Sequence, residues 1–203
     1  MLKLIILVIF SYLLGSFPSA YLAGKLKKGI DIRKKGSGNA GATNVLIVVG
    51  PIFAIFVYVI DLLKGLIPVL LARNVIGTEL SMGLTGLAAI LGHDFSLFLG
   101  FSGGKGVATT TGVMFGINSV IMTILLFAWL IFVGITNYFI LSSLLCMLFI
   151  PVLMYSFKFS VTYVLFGVLY LLVGLFTHRE DIVKILSRQE PKAFSSVKKY
   201  FGK

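Results

Sequence analysis

The sequence predicts an all-α fold, a polytopic bundle of seven transmembrane helices with the N-terminus outside and the C-terminus cytoplasmic. Three observations lead there. Hydrophobic residues make up 58% of the 203 and charged residues only 12%, about half the charged share of a soluble domain; mean hydropathy is +1.05. Apolar runs of 17 or more residues recur along the chain, each long enough to cross a hydrocarbon layer about 30 Å thick. Backbone amides in that layer must pair within their own segment, so such runs form helices, and the strict alternation of a transmembrane barrel is missing. The third observation is where the basic residues fall, which sets both the helix count and the orientation.

The first run is Leu2–Leu22. Ala20-Tyr21-Leu22-Ala23 loosely resembles a signal-cleavage site. However, only Lys3 precedes the run, while Lys25, Lys27, Lys28, Arg33, Lys34 and Lys35 follow it. The positive-inside rule therefore predicts a retained span, with the 25–46 segment in the cytoplasm. Further runs are Ile47–Ala72, Leu80–Phe101, Val107–Ile135, Phe139–Tyr155 and Val161–Thr177. One span for each would make six and put the basic tail (Arg179, Lys184, Arg188, Lys192, Lys198, Lys199, Lys203) outside, against the same rule. Val107–Ile135 is longer than a span needs, and Gly116-Ile117-Asn118-Ser119 interrupts it with turn-forming residues. Splitting it there gives seven spans. The 25–46 loop, the 101–106 loop, the 136–143 corner and the tail then share one side. A span of a dozen residues rises only ~18 Å, so it requires a thinned bilayer or burial against neighbours. The outer loops hold little beyond Arg73–Glu79 and Lys158. The whole chain, 1–203, reads as a single embedded domain.

A net charge of +11 is large for such a chain. Nucleic-acid binding would require a basic folded module, for which this chain has no room. Attraction to anionic headgroups and capture of phosphorylated substrates both remain. Two histidines and one cysteine cannot supply a zinc site. Cys146 lies within Leu144-Leu145-Cys146-Met147-Leu148, where a thiol packs and stays inert.

Three polar segments could carry chemistry. In Lys34-Lys35-Gly36-Ser37-Gly38-Asn39-Ala40-Gly41-Ala42-Thr43-Asn44, small residues uncover backbone N–H groups that can grip a phosphate. Ser37, Asn39, Thr43 and Asn44 add side-chain donors, and the entry of the next helix adds a positive dipole end. Gly36-x-Gly38-x-x-Gly41 also matches a dinucleotide fingerprint, but no strand precedes it and no βαβ unit is possible. In Gly92-His93 through Gly103-Gly104-Lys105-Gly106-Val107-Ala108-Thr109, a glycine bend, a lysine and a helix start converge without a Walker A pattern, since Leu99 holds the first glycine position. The third segment, Thr177-His178-Arg179-Glu180-Asp181, returns to the same face and offers a histidine. Asp61 and Lys64, three apart in an apolar run, read as a structural ion pair near a helix end with Lys64 snorkelling.

Together these segments resemble the bacterial integral-membrane glycerol-3-phosphate acyltransferases that use acyl phosphate as donor. Gly15-Ser16-Phe17-Pro18-Ser19-Ala20-Tyr21 is similar to the end of that family's first span. Gly36-Ser37-Gly38-Asn39-x-Gly41-Ala42-Thr43-Asn44-Val45-Leu46 matches its first cytoplasmic motif, and the Gly92–Thr109 segment its second. His178-Arg179-Glu180 resembles its C-terminal motif, and Asp61-Leu62-Leu63-Lys64-Gly65 also fits. The resemblance implies seven spans in a bacterial plasma (inner) membrane, the active site facing the cytoplasm, and a monomer. It implies acyl transfer from acyl phosphate to the 1-hydroxyl of glycerol 3-phosphate, giving lysophosphatidic acid without an acyl-enzyme, metal, coenzyme A or other cofactor. Carried onto this chain, it makes Ser37 and His178 catalytic. Gly36, Gly38, Asn39, Thr43, Asn44, His93, Gly103, Gly104, Lys105 and Ser143 become substrate-binding, with one phosphate in each glycine loop. The chain departs from the family at Ile47 (usually arginine), Asn137 (usually basic), Ile140 (serine) and Asp181 (asparagine), each change weakening anion binding. Two rivals are an anion transporter, which no internal repeat supports, and a non-catalytic lipid-binding paralogue.

Overall fold

The structure, a computed structural model, describes residues 1–189 and 192–193. The described residues gather into two compact units, divided between Ile117 and Asn118. The first unit begins with α1 (Leu2–Gly15) and α2 (Ser19–Lys28), which together make a span of 27 residues. The break falls at Ser16-Phe17-Pro18, where proline has no N–H to continue the ladder. Carbonyls freed there become acceptors: Ser16 O takes the Ser96 hydroxyl at 2.6 Å and Phe17 O the Lys64 ammonium at 2.8 Å.

The run expected from Ile47 to Ala72 is interrupted. Ile47 belongs to a short helix, α3 (Ala42–Val48), and the long helix α4 starts only at Pro51, extending to Val75. Gly50 between them has φ 132°, open to glycine alone, and Pro51 opens α4 as its first residue. The next helix, α5 (Glu79–Asp94), carries its N-cap on Thr78 and is followed by a 3-10 turn at Leu97–Leu99. The unit closes with α6 (Val107–Ile117), whose last carbonyls, Gly116 O and Ile117 O, are capped by Arg73. The second unit contains α7 (Ser119–Thr136), α8 (Phe139–Ser156), α9 (Val161–Thr177) and α10 (Arg179–Leu186), the last bent 67° from α9.

The split expected near Asn118 is present. Asn118 is the N-cap of α7, its Oδ1 accepting the Ile121 N–H at 2.9 Å. Among the described residues five helices are long and apolar enough to cross a bilayer, or six with the bent α9–α10 pair counted. At 11 residues, α6 rises only ~17 Å. Lys198, Lys199 and Lys203 of the basic tail lie outside the described residues.

Backbone-to-backbone contact holds the first unit together. A Cβ at Gly65 would overlap Thr109 O, and one at Gly112 would overlap Leu62 O, so α4 and α6 touch through their main chains. Gly15 and Gly92 do the same for α1 and α5, against Ala89 O and Tyr12 O. Where lipid removes the hydrophobic drive between helices, such close approach supplies the packing energy. Gly112→Ala is therefore expected to destabilise the protein by about 1–3 kcal/mol, read as a lower midpoint of thermal unfolding in detergent.

Candidate active site

The first glycine loop is organised by Asn44. Its Oδ1 accepts the Ser37 N–H at 2.9 Å, and its Nδ2 lies 2.9 Å from Ile32 O, 3.0 Å from Lys35 O and 2.9 Å from Asn39 O. Gly36 and Gly38 take φ 60° and 77°, and a Cβ at Gly36 would overlap Asn44 Oδ1. The fully buried Asn44 amide thus shapes the loop from inside, whereas the sequence pattern places it among the substrate donors. Outward-facing groups are Ser37, Thr43 and the backbone of Gly36–Gly38, all exposed, with Asn39 half-buried.

A latch joins this loop to the second one. Arg33 pairs with Asp31 at 2.8 Å, lies over the Tyr21 ring at 5.8 Å, and donates to Leu99 O at 2.8 Å. The hydrogen bond from Arg33 holds the Asp31 carboxyl below its ordinary value, and the same bond raises Arg33.

The second loop folds back onto the end of α5. Gly103 donates its N–H to Asp94 O and Gly104 to His93 O, both at 3.0 Å, satisfying carbonyls that a helix end leaves without partners. These two amides are thereby committed to the scaffold, not offered to a ligand. The half-buried Lys105 follows, then Gly106 at φ 71° and α6. The imidazole of His93 lies directly against Gly104, where a Cβ would collide with Nε2.

Beneath both loops is a buried charge cluster. Lys64 Nζ is 2.7 Å from Asp61 Oδ1, 2.8 Å from Phe17 O and 3.2 Å from His93 Nδ1, and the Ser19 hydroxyl donates to Asp61 Oδ1 at 2.5 Å. The ion pair expected at Asp61 and Lys64 is present, but Lys64 does not snorkel. It is 3% exposed and turns inward because a carbonyl at the α1–α2 break and a histidine lie there. Serine, lysine, aspartate and the helix break thus form a support that their spacing alone did not disclose; the signal available was two ionisable residues inside an apolar run. Lys64→Met would leave a buried carboxylate unpaired and is expected to cost about 3–5 kcal/mol, measured by thermal unfolding in detergent. Above the cluster is a cavity of about 10 Å³, lined by Ser19, Ala40, Lys64, His93, Gly103 and Gly104, room for roughly one water molecule.

The second unit holds the remaining two residues. Ser143 is in the first turns of α8, accepting from Trp129 Nε1 at 3.0 Å and donating to Phe139 O at 2.9 Å. His178 is buried at the α9–α10 junction, Nδ1 2.9 Å from Gly174 O. Asn137 ends α7 at φ 60°, a left-handed position that asparagine tolerates.

A helical chain with membrane-length spans and two glycine-rich loops over a buried charge cluster defines an integral-membrane protein with a polar end. The family model described as glycerol-3-phosphate acyltransferase matches residues 5–188, and the chain belongs to that family. It is 40% identical over 184 residues to the glycerol-3-phosphate acyltransferase of Thermotoga petrophila, covering 91% of this chain and 93% of that one. Among solved structures it resembles the crystal structure of PlsY (YgiH), an integral membrane glycerol 3-phosphate acyltransferase, in its glycerol 3-phosphate form. That match has a TM-score of 0.90 and 35% identity, covering 94% of this chain and 95% of the other. The lysophosphatidic acid form of the same protein matches at a TM-score of 0.89 and 33% identity, covering 96% and 98%.

Proposed function

We propose that this chain transfers a fatty acyl group from acyl phosphate to the 1-hydroxyl of glycerol 3-phosphate, releasing lysophosphatidic acid and inorganic phosphate, the first acylation of phospholipid synthesis. The observation that carries this reading is the meeting of both glycine loops at one cavity, Ala40 from the first and Gly103 and Gly104 from the second. Two phosphorylated substrates ask for two anion-facing surfaces and positive charge side by side. The relatives' named activity, and the two ligand forms of the neighbour structure, support the substrate class.

Acyl phosphate is already activated, so the protein's work is positioning and stabilisation of developing charge. The glycerol oxygen attacks the acyl carbon. The new C–O ester bond forms as the bond to the phosphate oxygen breaks, and phosphate leaves with that electron pair. The hydroxyl proton passes to a phosphate oxygen, so no acyl-enzyme is required. In this reading Ser37, Asn39 and Thr43 face one phosphate and Lys105 the other, with Asn44, Gly103 and Gly104 shaping the loops. The family resemblance adds Ser143 as an assisting residue and His178 as the group hydrogen-bonded to the reacting atoms. The same reading places a seven-span monomer, acting as one domain, in the bacterial plasma membrane with its site toward the cytoplasm.

The test is donor choice. Purified protein given glycerol 3-phosphate is expected to form lysophosphatidic acid from palmitoyl phosphate and none from palmitoyl-coenzyme A. Product from the thioester, or binding of both substrates without product, would contradict it; the second result would favour a non-catalytic paralogue, which Ile47 and Asp181 would suit.

A further inference from the structure

Each histidine in this chain has one ring nitrogen whose partner determines its proton. His93 Nδ1 is 3.2 Å from Lys64 Nζ and 3.8 Å from Asp61 Oδ1. The second distance is too long for a hydrogen bond, so the partner is the ammonium. A lysine ammonium only donates, so Nδ1 must offer its lone pair, and the ring proton of the neutral imidazole sits on Nε2. Lys64 has no freedom to withdraw, being held at once by the Asp61 carboxylate and the Phe17 carbonyl. Nε2, in turn, lies against Gly104 and has no hydrogen-bond partner among the described residues, although His93 is only 6% exposed. The cavity that His93 and Gly104 help to line is about 10 Å³. That is the room one oxygen atom of a phosphate requires, not a whole phosphate.

We infer that Lys64 is a positioning residue: clamped by Asp61, it fixes His93 as the Nε2–H tautomer, and that N–H is a hydrogen-bond donor for one phosphate oxygen entering over Gly104. This rests on the reading of the site as one for phosphorylated substrates and adds to it the donor that the second loop lacks once Gly103 and Gly104 N–H are committed to α5. Gly104 is then glycine because any side chain would cover the donor. Asp61 and Lys64 act through His93 and touch no substrate. A hydrogen-bonded neighbour choosing the tautomer of a functional histidine is the same logic that orients metal-bound histidines.

His178 supplies an internal control. Its Nδ1 faces a carbonyl, Gly174 O, at 2.9 Å, and a carbonyl only accepts, so the neutral ring there is the Nδ1–H tautomer. With two histidines in the chain, a [15N]histidine spectrum of the full protein in detergent contains two rings to assign, and His93→Gln identifies which is which. The expected result is a protonated Nε2 with bare Nδ1 at His93 and the reverse at His178. Inorganic phosphate is then expected to shift the His93 Nε2 signal. In the charge-neutral double variant Asp61→Leu/Lys64→Met, which leaves no buried charge unpaired, the His93 signals are expected to collapse to a tautomer average and lose the phosphate response.

Kinetics supply a second readout. His93→Gln keeps an N–H near the Nε2 position and His93→Asn does not. His93→Asn is expected to raise KM for glycerol 3-phosphate or acyl phosphate about tenfold or more, the worth of a hydrogen bond to a charged group, with His93→Gln recovering most of it. An imidazolium or an Nδ1–H ring at His93, an unchanged ring in the double variant, no phosphate shift at Nε2, or equal KM values for the two His93 variants would each overturn the inference. The spectra need no turnover. The expected spectra without lysophosphatidic acid production would therefore refute the acyl transfer while leaving the phosphate donor standing.

Discussion

A Lys105→Ala protein is expected to lose about 10²–10³ in kcat/KM, the usual effect of removing one charge-stabilising group from a water-poor site. Lys105 is half-buried between Gly104 and Gly106, one residue ahead of Val107, where α6 starts. Lys105 thus brings a positive charge to the chain segment that enters the positive end of that helix. Neither neighbouring glycine can screen it, and the amides of Gly103 and Gly104, held by α5, cannot replace it. Lys105→Arg keeps the charge with a different shape and is expected to retain part of the activity. Steady-state kinetics of the two variants decide the matter; a Lys105→Ala protein within threefold of the wild type would remove this residue from the reaction.

His178→Ala is expected to have the second large effect, a fall of about 10²-fold in kcat, the order seen when the reacting groups lose a positioning contact. The ring is 2% exposed and anchored through Nδ1 to Gly174 O one turn back. In the proposed reaction the ring hydrogen-bonds the reacting atoms. His178→Gln, which carries a polar atom near the Nε2 position, is expected to recover a fraction of the rate. Full activity in His178→Ala would refute the role outright. An equal loss in both variants, with a lowered unfolding midpoint, would instead mark His178 as a helix-junction residue.

Much of this was legible in the residues, for reasons that can be named. The split at Asn118 was readable because Gly116-Ile117-Asn118-Ser119 sets turn-forming residues inside an overlong apolar run. The helix from Val161 to Thr177 was readable because its ends are polar and its middle is not. The run starting at Ile47 was misjudged at its edge: hydropathy does not register a glycine with φ 132°, and Gly50-Pro51 stops one helix and starts another inside an unbroken apolar stretch. The glycine loops were visible by composition, but which of their amides are already paired was not. Asn44, Gly103 and Gly104 look like ligand donors in a pattern of letters, and three-dimensional hydrogen bonds engage them elsewhere. Lys64 is the clearest case. Sequence spacing pairs it with Asp61, whereas the decision between snorkelling outward and turning inward depends on the Phe17 carbonyl, exposed 47 residues earlier at the break between α1 and α2.

The most direct measurement is a 31P spectrum followed in time, with the purified protein in lipid nanodiscs, palmitoyl phosphate and glycerol 3-phosphate. Acyl phosphate is expected to disappear as inorganic phosphate grows one for one, while the glycerol 3-phosphate signal is replaced in equal amount by that of lysophosphatidic acid. Acyl phosphate that persists, or that is hydrolysed to phosphate while glycerol 3-phosphate is left unchanged, would contradict the proposed reaction.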